Sequence, residues 1–101
     1  MRWVALAKLT DFGERNVLGV KHGSLRIALY RLDGSVYATS DTCPHQNARL
    51  SEGEVVGGFV ECPAHYALFD IRTGRCEGGV TERSLTTYSV KVEEGCVFVL
   101  I

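Results

Sequence analysis

Alternating apolar positions and frequent turn residues run along most of the chain, and they predict strands rather than helices. The segment LRIALYRLDGSVYATS shows this most clearly, because positions 25, 27 and 29 are apolar and the run ends at Asp33-Gly34. Asp-Gly between two runs of β-forming residues is the usual signal for a two-residue hairpin. If the turn is type I′, Tyr30 pairs with Tyr37 across the hairpin.

Seven other segments have a similar character and are separated by glycine-containing turns. The strands predicted from them span residues 3–6, 16–21, 54–56, 59–61, 67–71, 85–92 and 96–101. Many short strands with frequent turns are typical of an antiparallel sandwich or barrel. One short helical turn is predicted at 10–14, with Thr10 or Asp11 as its N-cap. The chain is therefore predicted to be all-β.

The composition indicates one globular domain. The chain has 101 residues, of which 46% are hydrophobic and 23% charged, as in folded rather than disordered chains. A net charge of −1 gives no general attraction for nucleic acid or for an anionic membrane surface. The segment MRWVALAKLTDFGE lacks the long apolar core of an export signal. These features predict a cytoplasmic protein that spans residues 1–101 as a single domain.

Two short stretches, TCPHQNARL and ECPAHYALFD, each place a cysteine, a proline and a histidine together. The spacing is C-x-H, sixteen residues, then C-x-x-H, which gives Cys43, His45, Cys62 and His65. Each pair follows a predicted strand, so two such turns can converge on one metal site.

The four residues have three interpretations. They are unrelated to one another, they bind a structural zinc ion, or they bind an iron-sulfur cluster. A zinc site also uses two cysteines and two histidines. The familiar zinc finger, however, places both cysteines before a histidine pair on a helix, and this chain alternates them and has no predicted helix there.

The segment CPHQNARLSEGEVVGGFVECPAHYALFDIRTG, residues 43–74, resembles the cluster-binding segment of Rieske ferredoxins. In particular, it resembles the small soluble ferredoxins of bacterial aromatic-ring-hydroxylating dioxygenase systems. The resemblance implies a Rieske-type [2Fe-2S] cluster, with Cys43 and Cys62 on one iron and His45 and His65 on the other. It also implies the Rieske fold, an antiparallel basal sandwich with a small cluster-binding subdomain inserted at about 41–75.

Histidine ligands have an electrostatic consequence. Two ferric ions, two sulfides and two thiolates sum to zero charge when the imidazoles are neutral, whereas four thiolates leave a dianion. An electron therefore enters the mixed site more easily, and its potential is higher than that of an all-cysteine cluster. The second ring N–H of His45 or His65 is expected to face a docking partner.

Four residues differ from the high-potential Rieske proteins of respiratory complexes. Ala48 and Ala64 occupy the positions of an extra cysteine in each loop, so no loop disulfide is expected. Ala67 and Phe69 replace a serine and a tyrosine whose hydroxyls donate to cluster and ligand sulfurs. Fewer donors disfavour the reduced state, so the potential is expected toward the lower end of the Rieske range of about −150 to +300 mV.

Other residues have simpler interpretations. Cys76 and Cys96 have no histidine nearby and are expected to be buried or half-buried apolar residues. His22 is predicted to be a surface histidine, and Asp70 is expected to fix a turn or strand end. The third loop, RCEGGVTE at 75–82, lacks the proline found in many family members.

The resemblance implies an electron carrier, not an enzyme. Its expected partners are an NAD(P)H-dependent flavoprotein ferredoxin reductase and the terminal Rieske oxygenase of an aromatic-ring-hydroxylating dioxygenase. The protein is expected to be a monomer that docks transiently, because redox encounters bury little surface. The alternative function is a tightly bound Rieske-type small subunit of another oxidoreductase, of the nitrite or arsenite type.

Overall fold

A computed structural model describes residues 1–44, 48–64, 66–77 and 83–101. Within these ranges the chain forms eleven strands and two 3-10 helices. The strands are β1 (Trp3–Lys8), β2 (Val17–His22), β3 (Leu25–Leu32), β4 (Ser35–Ser40), β5 (Glu54–Val56), β6 (Phe59–Glu61), β7 (Leu68–Asp70), β8 (Cys76–Glu77), β9 (Thr87–Tyr88), β10 (Val90–Glu93) and β11 (Cys96–Leu100). The 3-10 helices are Leu9–Phe12 and Leu50–Glu52.

The strands form three sheets with antiparallel pairing. The first has the order β1-β11-β10, the second β2-β3-β4-β9 and the third β5-β6-β7-β8. The first two sheets lie on either side of one apolar core, which includes Ile27, Leu29, Val97 and Val99. This arrangement is the expected sandwich, and the all-β prediction is confirmed.

Strand β3 is buried on both faces. Ile27 and Leu29 belong to the sandwich core, whereas Ala28 and Tyr30 belong to a second core shared with the third sheet. Because successive side chains of a strand point to opposite faces, one strand supplies both cores. The third sheet is thereby packed onto the sandwich through β3.

The predicted hairpin is confirmed in type and register. Asp33 and Gly34 both have positive φ, 51° and 79°, as a type I′ turn requires. Tyr30 pairs with Tyr37. The local sequence therefore determines the turn and the register together.

The prediction of a single strand at 85–92 was wrong. Thr87–Tyr88 pairs with β4 in the second sheet, whereas Val90–Glu93 pairs with β11 in the first. Ser89 lies between them, and its carbonyl oxygen accepts a hydrogen bond from the Leu100 N–H at 3.0 Å. The segment changes sheets at this residue, which splits the apolar run into two strands.

The helical turn begins earlier than predicted, and its N-cap assignment was wrong. It is the 3-10 helix Leu9–Phe12, and its N-cap is Lys8. The Asp11 carboxylate accepts a hydrogen bond from the Lys8 backbone N–H at 2.9 Å, so Asp11 caps the turn from inside it. In the described ranges no helix is long and apolar enough to cross a membrane.

A surface contact joins the third sheet to the β3–β4 hairpin. The Arg72 guanidinium lies 5.3 Å from the centre of the Tyr37 ring, and its Nη2 is 3.3 Å from an Asp33 carboxylate oxygen. Both charged side chains are well exposed, so water screens this ion pair and it contributes little to stability. The larger contribution comes from the apolar core beneath it.

Two glycines with nearly equal φ permit a matched stability test. Gly34 and Gly74 have φ of 79° and 78°. A Cβ at Gly34 meets open space, whereas a Cβ at Gly74 collides with the carbonyl oxygen of Leu85.

Gly34→Ala should cost about 1 kcal/mol of unfolding free energy through the backbone alone. Gly74→Ala should cost about 1–3 kcal/mol more, because the Leu85 backbone must move. Chemical denaturation measures both losses, and equal losses would contradict the proposed collision.

Candidate metal centre

Two loops, one after β4 and one between β6 and β7, are closed by equivalent backbone hydrogen bonds. The Cys43 N–H donates to the Ala48 carbonyl oxygen at 2.9 Å, and the Cys62 N–H donates to the Ala67 carbonyl oxygen at 2.8 Å. In both cases the acceptor is five positions after the cysteine. Each cysteine therefore stands at the base of a loop, 44–47 in one case and 63–66 in the other. Each loop contains one of the two predicted histidine ligands.

The first loop is held at its base by a second layer of contacts. Thr42 and Arg49 form an isolated β-bridge. One step further out, the Leu50 N–H donates to the Asp41 carbonyl oxygen at 2.7 Å. The Asp41 carboxylate also accepts hydrogen bonds from the backbone N–H and the hydroxyl of Ser51, both at 2.7 Å. The two ends of the loop are thus tied through main chain and side chain.

The second loop is a tight turn between β6 and β7. Glu61 pairs with Leu68 at the ends of those strands, and the Tyr66 N–H donates to the Cys62 carbonyl oxygen at 2.8 Å. Tyr66 has φ of 61°, in the left-handed region that non-glycine residues rarely adopt. Its side chain is 72% exposed, so it lies at the surface beside the loop.

Both loop cysteines are buried. Cys43 is 2% exposed and Cys62 is 0% exposed, and both belong to the core that contains Tyr30, Ala67 and Phe69. All four cysteines of the chain lie in the described residues, and none forms a disulfide.

The hydroxyl of Tyr30 is engaged within this core. It lies 2.8 Å from Thr39 Oγ1, and Thr39 Oγ1 donates to the Ser40 carbonyl oxygen at 2.9 Å, so Tyr30 donates to Thr39. Burial raises the pKa of the Tyr30 phenol well above its ordinary value, and the negative charge of Asp41 adds to that increase. Tyr30 is therefore a neutral hydrogen-bond donor.

The chain that follows the third loop contacts the first loop. The Arg83 guanidinium donates a hydrogen bond to the Pro44 carbonyl oxygen at 2.8 Å. Shortly beyond it, the Leu85 N–H donates to the Gly74 carbonyl oxygen at 2.8 Å. Residues 78–82 of the proline-free third loop lie outside the described residues. Arg83 thus links the end of that segment to the residue directly before His45.

Two of the four predicted ligands lie in the described residues, and the other two do not. His45 and His65 lie outside the described residues, so their role as ligands stays a prediction. In the part of the chain that the structure describes, no group of three or more histidine, cysteine, aspartate or glutamate side chains is arranged to hold a metal ion. The structure brings Cys43 and Cys62 into one core, which is half of the predicted set.

The simpler sequence interpretations are confirmed. Cys76 and Cys96 are half-buried, and His22 is exposed. The Asp70 carboxylate accepts hydrogen bonds from the backbone N–H groups of Arg72 and Thr73, at 2.9 and 3.3 Å. Asp70 therefore fixes the turn after β7, as expected.

Sequence reasoning missed Asp41, Ser51 and Arg83. Asp41 precedes Cys43 by two positions, but a polar residue before a loop is ordinary and carries no specific signal. The partners of Arg83 and Asp41 are 39 and 10 positions away. Such contacts depend on the tertiary fold and have no local pattern.

The donor set fits a Rieske cluster. A buried thiolate loses its hydration and needs a positive partner close by, and an iron ion supplies one. The structure describes two cysteines at the bases of two similarly closed loops, and the sequence has one histidine in each loop. These residue types match the two sulfur and two nitrogen ligands that such a centre requires.

Comparisons with known proteins agree with this chemistry. The family model described as the Rieske [2Fe-2S] domain matches residues 2–89. A ferredoxin component of naphthalene 1,2-dioxygenase/salicylate 5-hydroxylase systems from Ralstonia sp. is 41% identical over 91 residues, covering 90% of this chain and 88% of the relative. A naphthalene 1,2-dioxygenase ferredoxin component from Pseudomonas putida is 38% identical over 93 residues, covering 92% and 89%.

A solved structure extends the similarity to three dimensions. The complex of reduced oxygenase and oxidized ferredoxin in carbazole 1,9a-dioxygenase contains a chain that is 35% identical to this one and superposes with a TM-score of 0.87. The superposition covers 96% of this chain and 91% of the other. The chain described here therefore belongs to the Rieske [2Fe-2S] domain family, whose cofactor is a Rieske-type [2Fe-2S] cluster.

Proposed function

We propose that this protein is a low-potential Rieske ferredoxin that carries single electrons to the terminal oxygenase of an aromatic-ring-hydroxylating dioxygenase system. The observation that carries the proposal is the pair of cysteine loops, closed by equivalent hydrogen bonds and sharing one apolar core. The relatives support it, because they are named ferredoxin components of dioxygenase systems. The protein is the electron-transfer component of such a system and not its catalyst.

Four residues are proposed as ligands. Cys43 and Cys62 hold one iron through thiolates, and His45 and His65 hold the other through ring nitrogens. They belong to a cluster-binding subdomain at about 41–75. When bound, the cluster accepts and releases one electron at a time. The cysteines hold it from the buried side, and the loops that contain the histidines form the surface offered to partners.

The loop closures prepare these ligands for binding. The hydrogen bonds from Cys43 and Cys62 fix both backbone segments, and the core beneath fixes both thiol-bearing side chains. A ligand set held in place loses little conformational freedom when the metal binds. The two cysteines are therefore held in place before a metal binds.

The proposed partners are a flavoprotein reductase that uses NADH or NADPH and a terminal Rieske oxygenase. The oxygenase is supported by the carbazole 1,9a-dioxygenase complex, in which an oxygenase and a ferredoxin are bound together. The reductase is proposed because an electron carrier needs a donor, and a flavin converts a hydride into single electrons. We place the protein in the cytoplasm as a monomer that docks transiently.

A low potential is supported by the residues beneath the loops. Ala67 and Phe69 are 1% and 0% exposed, lie in the same core as both loop cysteines and carry no hydroxyl. Sulfur atoms of the proposed centre thus lack two donors at these positions. Since such donors stabilise the reduced state, their absence keeps the potential low.

Reconstitution tests the function directly. The purified protein should be red-brown, and its reduced form should show the anisotropic electron paramagnetic resonance signal of a Rieske centre. Added to a ferredoxin reductase, NADH or NADPH, and a dioxygenase oxygenase, it should make oxygenase reduction depend on its own concentration. A colourless protein that contains zinc would refute the proposal. Permanent copurification with another oxidoreductase would favour the alternative of a bound small subunit.

Exchanging a histidine ligand for a cysteine tests the charge argument. His45→Cys or His65→Cys adds a thiolate to the site, so any cluster that assembles should have a potential lower by about 100 mV or more. Protein-film voltammetry measures the shift. His22→Cys is the matched control, since His22 is exposed at the end of β2 and is not a proposed ligand, and it should leave the potential unchanged. An unchanged potential in both ligand variants would contradict the assignment.

Adding a hydroxyl beneath the loops tests the hydrogen-bond argument. Ala67→Ser and Phe69→Tyr should each raise the potential by up to about 65–130 mV where the new hydroxyl reaches a sulfur atom, because a donor to a charged acceptor contributes about 1.5–3 kcal/mol and the couple transfers one electron. Voltammetry again supplies the measurement. Phe98→Tyr adds the same hydroxyl on β11 of the first sheet and should have no effect. A fall in potential in either core variant would overturn the explanation.

A further inference from the structure

Asp41 is a buried carboxylate next to the first loop. It is 3% exposed and precedes Cys43 by two residues, so the two Cα atoms are at most about 7 Å apart. Its two oxygens accept hydrogen bonds from the Ser51 backbone N–H and hydroxyl, both at 2.7 Å. In the described part of the chain, no lysine or arginine forms an ion pair with it. A negative charge is thus held in the fold without a cationic partner there.

Gly19 leaves space for the Asp41–Ser51 pair because it has no side chain. A Cβ at Gly19 would lie 2.5 Å from Ser51 Oγ and 3.1 Å from an Asp41 carboxylate oxygen. A larger residue at Gly19 would therefore displace the hydrogen-bonded pair. Ser51 is itself 8% exposed. Three separate segments of the chain, β2, the end of β4 and the second 3-10 helix, meet to form this environment.

The direction of the hydrogen bonds defines the role of Asp41. Both of its contacts with Ser51 come from donors, and a carboxylate that accepts at both oxygens is used as an anion. Burial reduces screening by water and salt, so its field reaches further than that of an exposed carboxylate. The field already reaches the core, because the charge of Asp41 contributes to the raised pKa of Tyr30.

We propose that Asp41 is a positioning residue that fixes a negative charge beside the first ligand loop and thereby lowers the reduction potential of the centre. The inference rests on the proposed function, since it requires the iron-sulfur ligands assigned above. One-electron reduction, with the electron supplied by the flavoprotein reductase, adds one negative charge to the centre. A fixed anion nearby opposes that addition. The Ser51 donors hold the carboxylate in place and reduce its field.

The experiment compares two variants that break the same pair in different ways. Asp41→Asn removes the charge while its side-chain oxygen still accepts from the Ser51 N–H and its amide can donate to the Ser51 hydroxyl. Ser51→Ala keeps the charge and removes one donor. Asp41→Asn should raise the midpoint potential, and Ser51→Ala should lower it, because the carboxylate loses one of the donors that reduce its field. Asp11→Asn, at an exposed carboxylate in the first 3-10 helix, makes the same change in net charge and should have no effect.

A structural role would give a different pattern. If the pair only stabilises the loop, both variants loosen it and both should shift the potential in the same direction, together with a lower unfolding temperature. A rise in both variants, or no rise in Asp41→Asn, would overturn the proposal.

If Asp41→Asn fails to assemble the cluster, Ser51→Ala decides alone: a fall in its potential supports the proposal and no fall overturns it. All potentials are measured on the purified protein without partners. Absence of a Rieske signal in the unaltered protein would instead refute the proposed function.

Discussion

The burial of β3 on both faces is the constraint on which the rest of the structure depends. Ile27 and Leu29 are fully buried in the sandwich, and Ala28 and Tyr30 are fully buried against the third sheet. Full burial of each large apolar side chain contributes about 1.5–3 kcal/mol. The loops of the candidate metal centre therefore rest on the strand that also holds the sandwich together. A change in the sandwich packing of β3 is transmitted through the same backbone to the core under Cys43 and Cys62.

The hairpin and the site were predictable to different degrees. The Asp33-Gly34 turn depends on two adjacent residues, so its type and register follow from local sequence. The split at Ser89 does not, because it depends on which of two sheets each half of the segment joins. The same distinction applies to the centre. The cysteines were identified by their spacing with histidines, whereas Arg83 and Asp41 acquire their roles from partners brought close by folding.

The capping of the first 3-10 helix shows a similar limit on a smaller scale. Thr10 or Asp11 was expected as the N-cap, whereas the N-cap is Lys8 and Asp11 accepts a hydrogen bond from its backbone N–H, from the third position of the helix. An aspartate can serve either position, and the sequence does not distinguish them. The residue type identifies Asp11 as a capping residue, whereas the backbone conformation determines which position of the helix it occupies.

Three features of this chain act on the potential of the proposed centre, and they do not all act in the same direction. The mixed ligand set makes the oxidised site neutral and raises the potential above that of an all-cysteine cluster. The apolar side chains of Ala67 and Phe69 withhold donors from the sulfurs, and the buried charge of Asp41 opposes an added electron, so both lower it. In the proposed centre, the ligand set thus defines the range of the reduction potential, and the core beneath the loops places the potential in the lower part of that range. A carrier between a reduced nicotinamide and an oxygenase needs this balance, because the centre must accept electrons from a flavin and still release them to the next protein.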